Sequence, residues 1–258
     1  MKNMAKKLFI AAMCLSMSVT AVPAVTGTTQ TVSAEQTTAK NGLYHEGNAW
    51  NYYTDGAINK ANTLVKYNGS WWYVHDGKID FSANTLVKFN GSWWYVHGGK
   101  VDFGARTLVK YNGTWWFVEG GRVNWNSETV VKYNGAWFYV KNGQVNWNSG
   151  ETLCKYNHFW WYIKNGKIDF NSTTLCKYNG TWWYVKNGVV DFSATTLCKY
   201  NGTWFYVKNG AVDFKNSTLC KYNGNWYLVG SGVVSWNYSG KYKYNGNWFN
   251  IKGGIVRF

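Results

Sequence analysis

The stretch Lys177-Tyr178-Asn179-Gly180-Thr181-Trp182-Trp183-Tyr184-Val185-Lys186-Asn187-Gly188 decides how the chain is read, because near-copies of it fill almost the whole sequence. Two runs rich in β-branched and aromatic residues flank Asn179-Gly180. Both residues tolerate the positive φ of a type I′ turn, so the pattern predicts a two-residue β-hairpin. Asn187-Gly188 is a second turn. Val189-Val190-Asp191-Phe192 then reads as a short third strand. The Asn-Gly-Thr triplet also matches a glycosylation sequon, and in this setting the turn is the stronger reading.

One lysine marks the period: Lys66, Lys88, Lys110, Lys132, Lys155, Lys177, Lys199, Lys221 and Lys243. Every step is 22 residues except the 23 between Lys132 and Lys155, where Gly150 is the added residue. Nine clear units therefore span about 62–258. A degenerate unit at about 41–61 precedes them, with Gly47-Asn48-Ala49-Trp50-Asn51-Tyr52-Tyr53 at its centre. A 22-residue hairpin cannot bury a core alone, but stacked hairpins cover one another. The expected fold is all-β, a solenoid of tandem hairpin repeats forming a single array over 35–258, with a possible break near 150. End units should differ, and Lys241-Tyr242 does replace the usual Leu-Val or Leu-Cys.

A two-residue turn also sets the register. Tyr67 pairs with Ser70, Lys66 with Trp71, Val65 with Trp72 and Leu64 with Tyr73, with alternate residues on opposite faces. The Trp72 position accepts Phe138, Phe205, Tyr227 and Phe249 in other units, so this first face reads as core, where volume matters more than identity. On the second face the aromatic is always Trp: Trp71, Trp93, Trp115, Trp137, Trp160, Trp182, Trp204, Trp226 and Trp248. Beside it stand Tyr73, Tyr95, Tyr139, Tyr162, Tyr184 and Tyr206, with Phe117, Leu228 and Asn250 as exceptions. Two readings compete for this face. It is either an inter-unit contact with the repeat lysine lying over the Trp ring, or a repeated aromatic platform for sugar rings or quaternary ammonium groups.

The string Lys-x-Asn-Gly-x-Trp-aromatic-Tyr followed by a turn Gly resembles the bacterial cell-wall-binding repeats of the choline-binding and glucan-binding type, over about 41–258. The resemblance implies a hairpin solenoid with ligands held between successive units and noncovalent attachment to wall polymer or glycan. It places the ligand aromatics at Trp71 and Tyr73 and their equivalents through Trp226. Two departures stand out. The family's Gly-Trp position, seven residues before the first hairpin Trp, is here Leu64, Leu86, Leu108, Val130, Leu153, Leu175, Leu197 and Leu219. The unit is also about two residues longer and carries an added aromatic at Phe81, Phe103, Trp125, Trp147, Phe170, Phe192, Phe214 and Trp236. That ring is either a replacement wall or a seal between units.

The chain opens like a secretion signal. Lys2, Lys6 and Lys7 precede an interrupted apolar run from Leu8 to Val25, and Ala34 or Ala24 ends a small-residue cleavage site. No stretch is long and apolar enough to span a membrane. Removing residues 1–34 takes three of the 27 Lys and Arg and none of the 12 Asp and Glu, so the mature chain stays basic. The lysines either attract anionic partners or keep an aromatic-rich surface soluble. Cys154, Cys176, Cys198 and Cys220 stand where Val65, Val87, Val109 and Val131 stand earlier, which favours small buried side chains over disulfides.

Nothing points to catalysis, a cofactor or a metal. His45, His75, His97 and His158 are scattered. Asp80, Asp102, Asp169, Asp191 and Asp213 exchange with Asn124, Asn146 and Ser235, which suits hydrogen bonding at a turn. The expected function is a secreted surface protein, retained noncovalently, that binds teichoic acid or wall polysaccharide. The alternative is an adhesin for a mucin, immunoglobulin or other host glycoprotein. Nucleic-acid binding ranks low, since the lysines follow the fold's own period.

Overall fold

The computed structural model describes residues 39–258; the leader expected over 1–34 lies outside them. Each hairpin turn takes the geometry that its sequence predicts. Asn179 and Gly180 have φ of 47° and 81°, and the strands Thr174–Tyr178 and Thr181–Lys186 pair with Tyr178 opposite Thr181, Lys177 opposite Trp182 and Cys176 opposite Trp183. The described residues form thirty strands, three to each of ten units. The degenerate first unit is a full hairpin, Gly42–Glu46 with Ala49–Thr54.

The short third strand joins the units. Val189 pairs with Lys186 of its own hairpin and with Trp161 of the preceding one. Tyr162 N–H also donates to the carbonyl of Gly188 in the next unit at 2.8 Å. This brings backbone against backbone. A Cβ on Gly188 would lie 2.5 Å from the Asp169 carbonyl oxygen and 2.7 Å from Phe170 Cα. Glycine is required there by the approach of the neighbouring unit as well as by its φ of 77°.

The core lies between hairpins. Leu153 and Tyr162 of one unit pack with Cys176, Val185 and Val190 of the next, and the same set recurs along the array. Each inner hairpin therefore buries residues of both faces, one against the unit before and one against the unit after. Of the two readings of the second face, the inter-unit contact is present, although the repeat lysines do not lie over the Trp rings. Two faces are covered because a solenoid gives an inner unit two neighbours.

The four cysteines are free and buried, each in a different inter-hairpin core. Burial pushes the thiols of Cys154 and Cys176 up to about 12 and those of Cys198 and Cys220 up to about 11. At the 23-residue step the pairing continues: Phe138 faces Lys167 just as Trp116 faces Gln144. Gly150, at a φ of 60°, is absorbed in the connection, where its carbonyl accepts from Asn165 N–H at 2.9 Å.

The end units have different outer faces. In the first unit Asn51 stands where inner units have a ring. Lys40 pairs with the Glu46 carboxylate, to which the Tyr53 hydroxyl and the Asn51 amide also donate at 2.5 and 3.1 Å. These contacts hold Glu46 well below the usual carboxylate range, at about 2. In the last unit Lys241 faces Asn250, both exposed. Trp248, with no following hairpin, is 65% exposed.

Candidate ligand boxes between hairpins

The rings collect at each junction between successive units. Trp160 of one hairpin lies 5.2 Å, centroid to centroid, from Tyr178 of the next. In that next unit Trp183 meets Phe192 edge to face at 5.3 Å. These four rings, with Leu153 and Val190, line a cavity of about 290 Å³ that contains no charged side chain. The same arrangement recurs around Trp93, Tyr111, Trp116 and Trp125, in about 270 Å³, and around Trp137, Tyr156, Trp161 and Phe170, in about 210 Å³. The ring pairs that build it repeat at 5.1 Å in Trp71–Phe89, Trp115–Tyr133, Trp182–Tyr200 and Trp204–Tyr222.

The walls are fixed from several directions. The indole N–H groups of Trp72, Trp94, Trp116 and Trp161 donate to the carbonyls of Tyr67, Phe89, Tyr111 and Tyr156 across the turn at 3.2–3.3 Å. The third-strand ring is held by an Asx turn: the Asp191 carboxylate accepts from Ser193 N–H at 3.0 Å and Ser193 O–H at 2.7 Å. Those bonds, led by the hydroxyl's, lower the pKa of Asp191. The aspartates of this position thus serve the turn.

The sequence-derived site residues divide. Trp71, Trp93, Trp115, Trp137, Trp160, Trp182, Trp204 and Trp226 are half-buried at the junctions. Their tyrosine companions lie deeper. Tyr139 and Tyr162 are 2% and 1% exposed, and the Tyr139 hydroxyl donates to Glu128 at 2.5 Å. Tyr184 and Tyr206 are also buried, and only Tyr73 and Tyr95 keep partial exposure. The buried tyrosines are core residues and offer a ligand no free ring face.

Conversely, Trp116, Trp161 and Trp183, on the face read as core, line the cavities. Trp125, Phe170 and Phe192 on the third strands do the same, and the third-strand aromatics remain 44–53% exposed. At these three junctions that ring lines a cavity. Leu153 and Leu86, at the family's Gly-Trp position, also line cavities. Sequence reasoning passed over Tyr178 and its equivalents, although each follows the repeat lysine directly. It also passed over Trp50, whose ring lies 4.9 Å from Tyr67 and opens the series. Among the described residues none of the repeat lysines Lys66 to Lys243 lies over a Trp ring; all are exposed.

Beside the box at Trp160 runs a more polar groove of about 470 Å³ that shares Trp160 and Phe192 and adds Lys186, Asp191 and Ser193. Its counterpart at Trp115 includes Lys141, Gln144 and Asn146. At Trp160 an uncharged aromatic box thus adjoins a groove that carries charge.

Fold and site together define a hairpin-repeat binding module. The chain belongs to the choline-binding repeat family, whose profile matches residues 60–80, 82–102, 106–124, 126–146, 149–169, 171–191, 193–213 and 217–235. No curated protein sequence matches it significantly. Among solved structures it is similar to CbpJ from Streptococcus pneumoniae TIGR4, at 17% identity over 84% of this chain and 80% of that one, with a TM-score of 0.31. It is likewise similar to choline binding protein F from Streptococcus pneumoniae, at 17% identity over 81% and 76%, with a TM-score of 0.31. The modular autolysin LytC from the same species matches at 15% identity over 78% and 54%, with a TM-score of 0.22.

Proposed function

We propose that this chain is a secreted surface protein that holds choline-bearing cell-wall polymer noncovalently, with quaternary ammonium groups in the inter-hairpin boxes. The observation that carries the reading is the repeated uncharged cavity walled by four rings. A trimethylammonium group carries charge but has no N–H to donate. It gives up water readily, and the negative faces of aromatic rings can replace that water. A sugar ring would also ask for several hydrogen-bond partners, and the lining at Trp183 is chiefly aromatic and aliphatic surface, with its polar atoms confined to Asn179, Thr181, the Tyr178 hydroxyl and the indole N–H groups.

The surrounding surface fits the same ligand. A teichoic acid with choline substituents carries phosphates along its backbone, and the exposed repeat lysines supply positive charge along the array. Each box would bind weakly. Occupying several on one polymer makes the later engagements intramolecular and raises overall retention by orders of magnitude.

The test is retention of the purified chain on isolated walls that carry choline and on matched walls that lack it, with free choline as competitor. Retention only on the choline walls, released by free choline, is the expected result. Equal retention on both wall types would overturn the reading. Tight binding to a host glycoprotein that resists free choline would replace it with adhesion.

A further inference from the structure

From the third unit on, the first residue of each third strand stands opposite the box ring of the preceding unit, and its charge changes along the chain. Lys100 faces Trp72, Arg122 faces Trp94 and Lys167 faces Phe138, whereas Val189 faces Trp161, Ala211 faces Trp183 and Val233 faces Phe205. Two of these cations reach the rings: the Arg122 guanidinium lies 5.9 Å from the Trp94 centroid and the Lys167 ammonium 5.2 Å from that of Phe138. Among the described residues neither cation has a carboxylate partner within salt-bridge distance. Glu119, the register partner of Arg122, is engaged instead by Arg106 at 3.2 Å. Arg106 also lies 5.5 Å from the ring of Tyr156, with its charge partly met by Glu119.

From this arrangement, and resting on the quaternary-ammonium reading above, we infer that the boxes are graded. Arg122 and Lys167 weaken ligand binding at the Trp94 and Phe138 boxes, and the boxes at Trp116 and Trp183 are the tighter sites. An aromatic ring attracts a cation through its quadrupole. A resident cation on that ring takes up part of the attraction and repels a second positive charge brought to the same box. Gln144 opposite Trp116 and Ala211 opposite Trp183 exert neither effect. Pairing register thus sets affinity without substituting any wall of the box.

The test uses the full chain labelled with 5-fluorotryptophan, its fluorine resonances assigned through Trp94→Phe, Trp116→Phe and Trp183→Phe, and titrated with choline chloride at low ionic strength. The Trp94 midpoint should lie about two- to fivefold above those of Trp116 and Trp183, the range of one exposed cation–π contact. Arg122→Gln should lower the Trp94 midpoint by that factor and leave Trp183 unmoved. Ala211→Lys should raise the Trp183 midpoint alone, which keeps the test decisive if Arg122→Gln disturbs folding. Equal midpoints in the unsubstituted chain, or midpoints that ignore both substitutions, would overturn the grading while the binding reading stands. No response at any tryptophan would overturn both.

Discussion

Trp160 and Tyr178 belong to different hairpins, yet their ring centroids lie 5.2 Å apart at an interplanar angle of 60°. A box therefore belongs to a junction and needs two units to exist. The tyrosine two residues after Trp137, Trp160, Trp182 and Trp204 is instead a core residue. Tyr162, at 1% exposure, sits with Leu153, Cys176 and Val185.

The two rings should respond oppositely to substitution. Trp160→Leu is expected to remove one choline site from the binding stoichiometry with a modest change in stability. Tyr162→Ala should cost about 3–5 kcal/mol, the usual range for deleting a buried aromatic, and reduce binding only by unfolding its junction. Isothermal titration with choline, paired with urea denaturation of the same samples, separates the outcomes. Loss of sites per folded molecule in Tyr162→Ala would contradict the assignment.

The glycines of the two turns should also separate. Gly180 and Gly188 share left-handed φ values of 81° and 77°. A Cβ on Gly180 meets nothing within 4 Å, whereas one on Gly188 strikes the backbone of Asp169 and Phe170. Gly180→Ala should cost about 1–2 kcal/mol, the penalty for a left-handed L-residue. Gly188→Ala should cost several kcal/mol more, because backbone cannot swing aside as a side chain can. Equal denaturation midpoints for the two variants would refute the close approach.

One hairpin turn departs from the rule. His158 occupies the glycine position of its turn at a φ of 68°. His158→Gly should relieve that strain and stabilise the protein by about 1 kcal/mol, less the entropy that glycine adds to the unfolded chain. The readout is an upward shift of the urea midpoint; an unchanged or lower midpoint would show that the turn holds histidine without strain.

The parts of this architecture that were legible in the sequence are the local ones. Asn179-Gly180 names its turn, the turn fixes which residues face each other, and alternation sorts them onto two faces. All of that is decided within a dozen residues. Which face binds is not decided there, because the partners of Trp160 are Tyr178 and Phe192, contributed by the next unit. Variation at the Trp183 position among Trp, Phe and Tyr resembles the tolerance of a core. An aromatic wall shows the same tolerance, since any ring presents a negative face. Likewise the tyrosine that recurs in most units at the Tyr162 position resembles a ligand residue, although a packed junction with one hydroxyl to satisfy also restricts what can stand there.

The buried thiols give a pH dependence that is confined to the later units. Burial raises Cys154, Cys176, Cys198 and Cys220 to about 11–12, above the value near 9 of an exposed thiol. The folded state therefore favours the neutral thiol. That contribution is fully present below pH 9 and is lost as pH rises from 9 towards 12, because the unfolded chain ionises first. At pH 10 the loss amounts to about 1 kcal/mol for each thiol, one unit above the unfolded pKa. Replacing all four by Val, the residue at this position in Val65, Val87, Val109 and Val131, should leave stability near pH 7 little changed and flatten its fall above pH 9. Urea denaturation at pH 7.5 and pH 10 for the two proteins reads the difference directly. If the Val variant lost as much stability as the parent, the alkaline sensitivity would have to come from tyrosines such as Tyr139, whose own pKa burial raises.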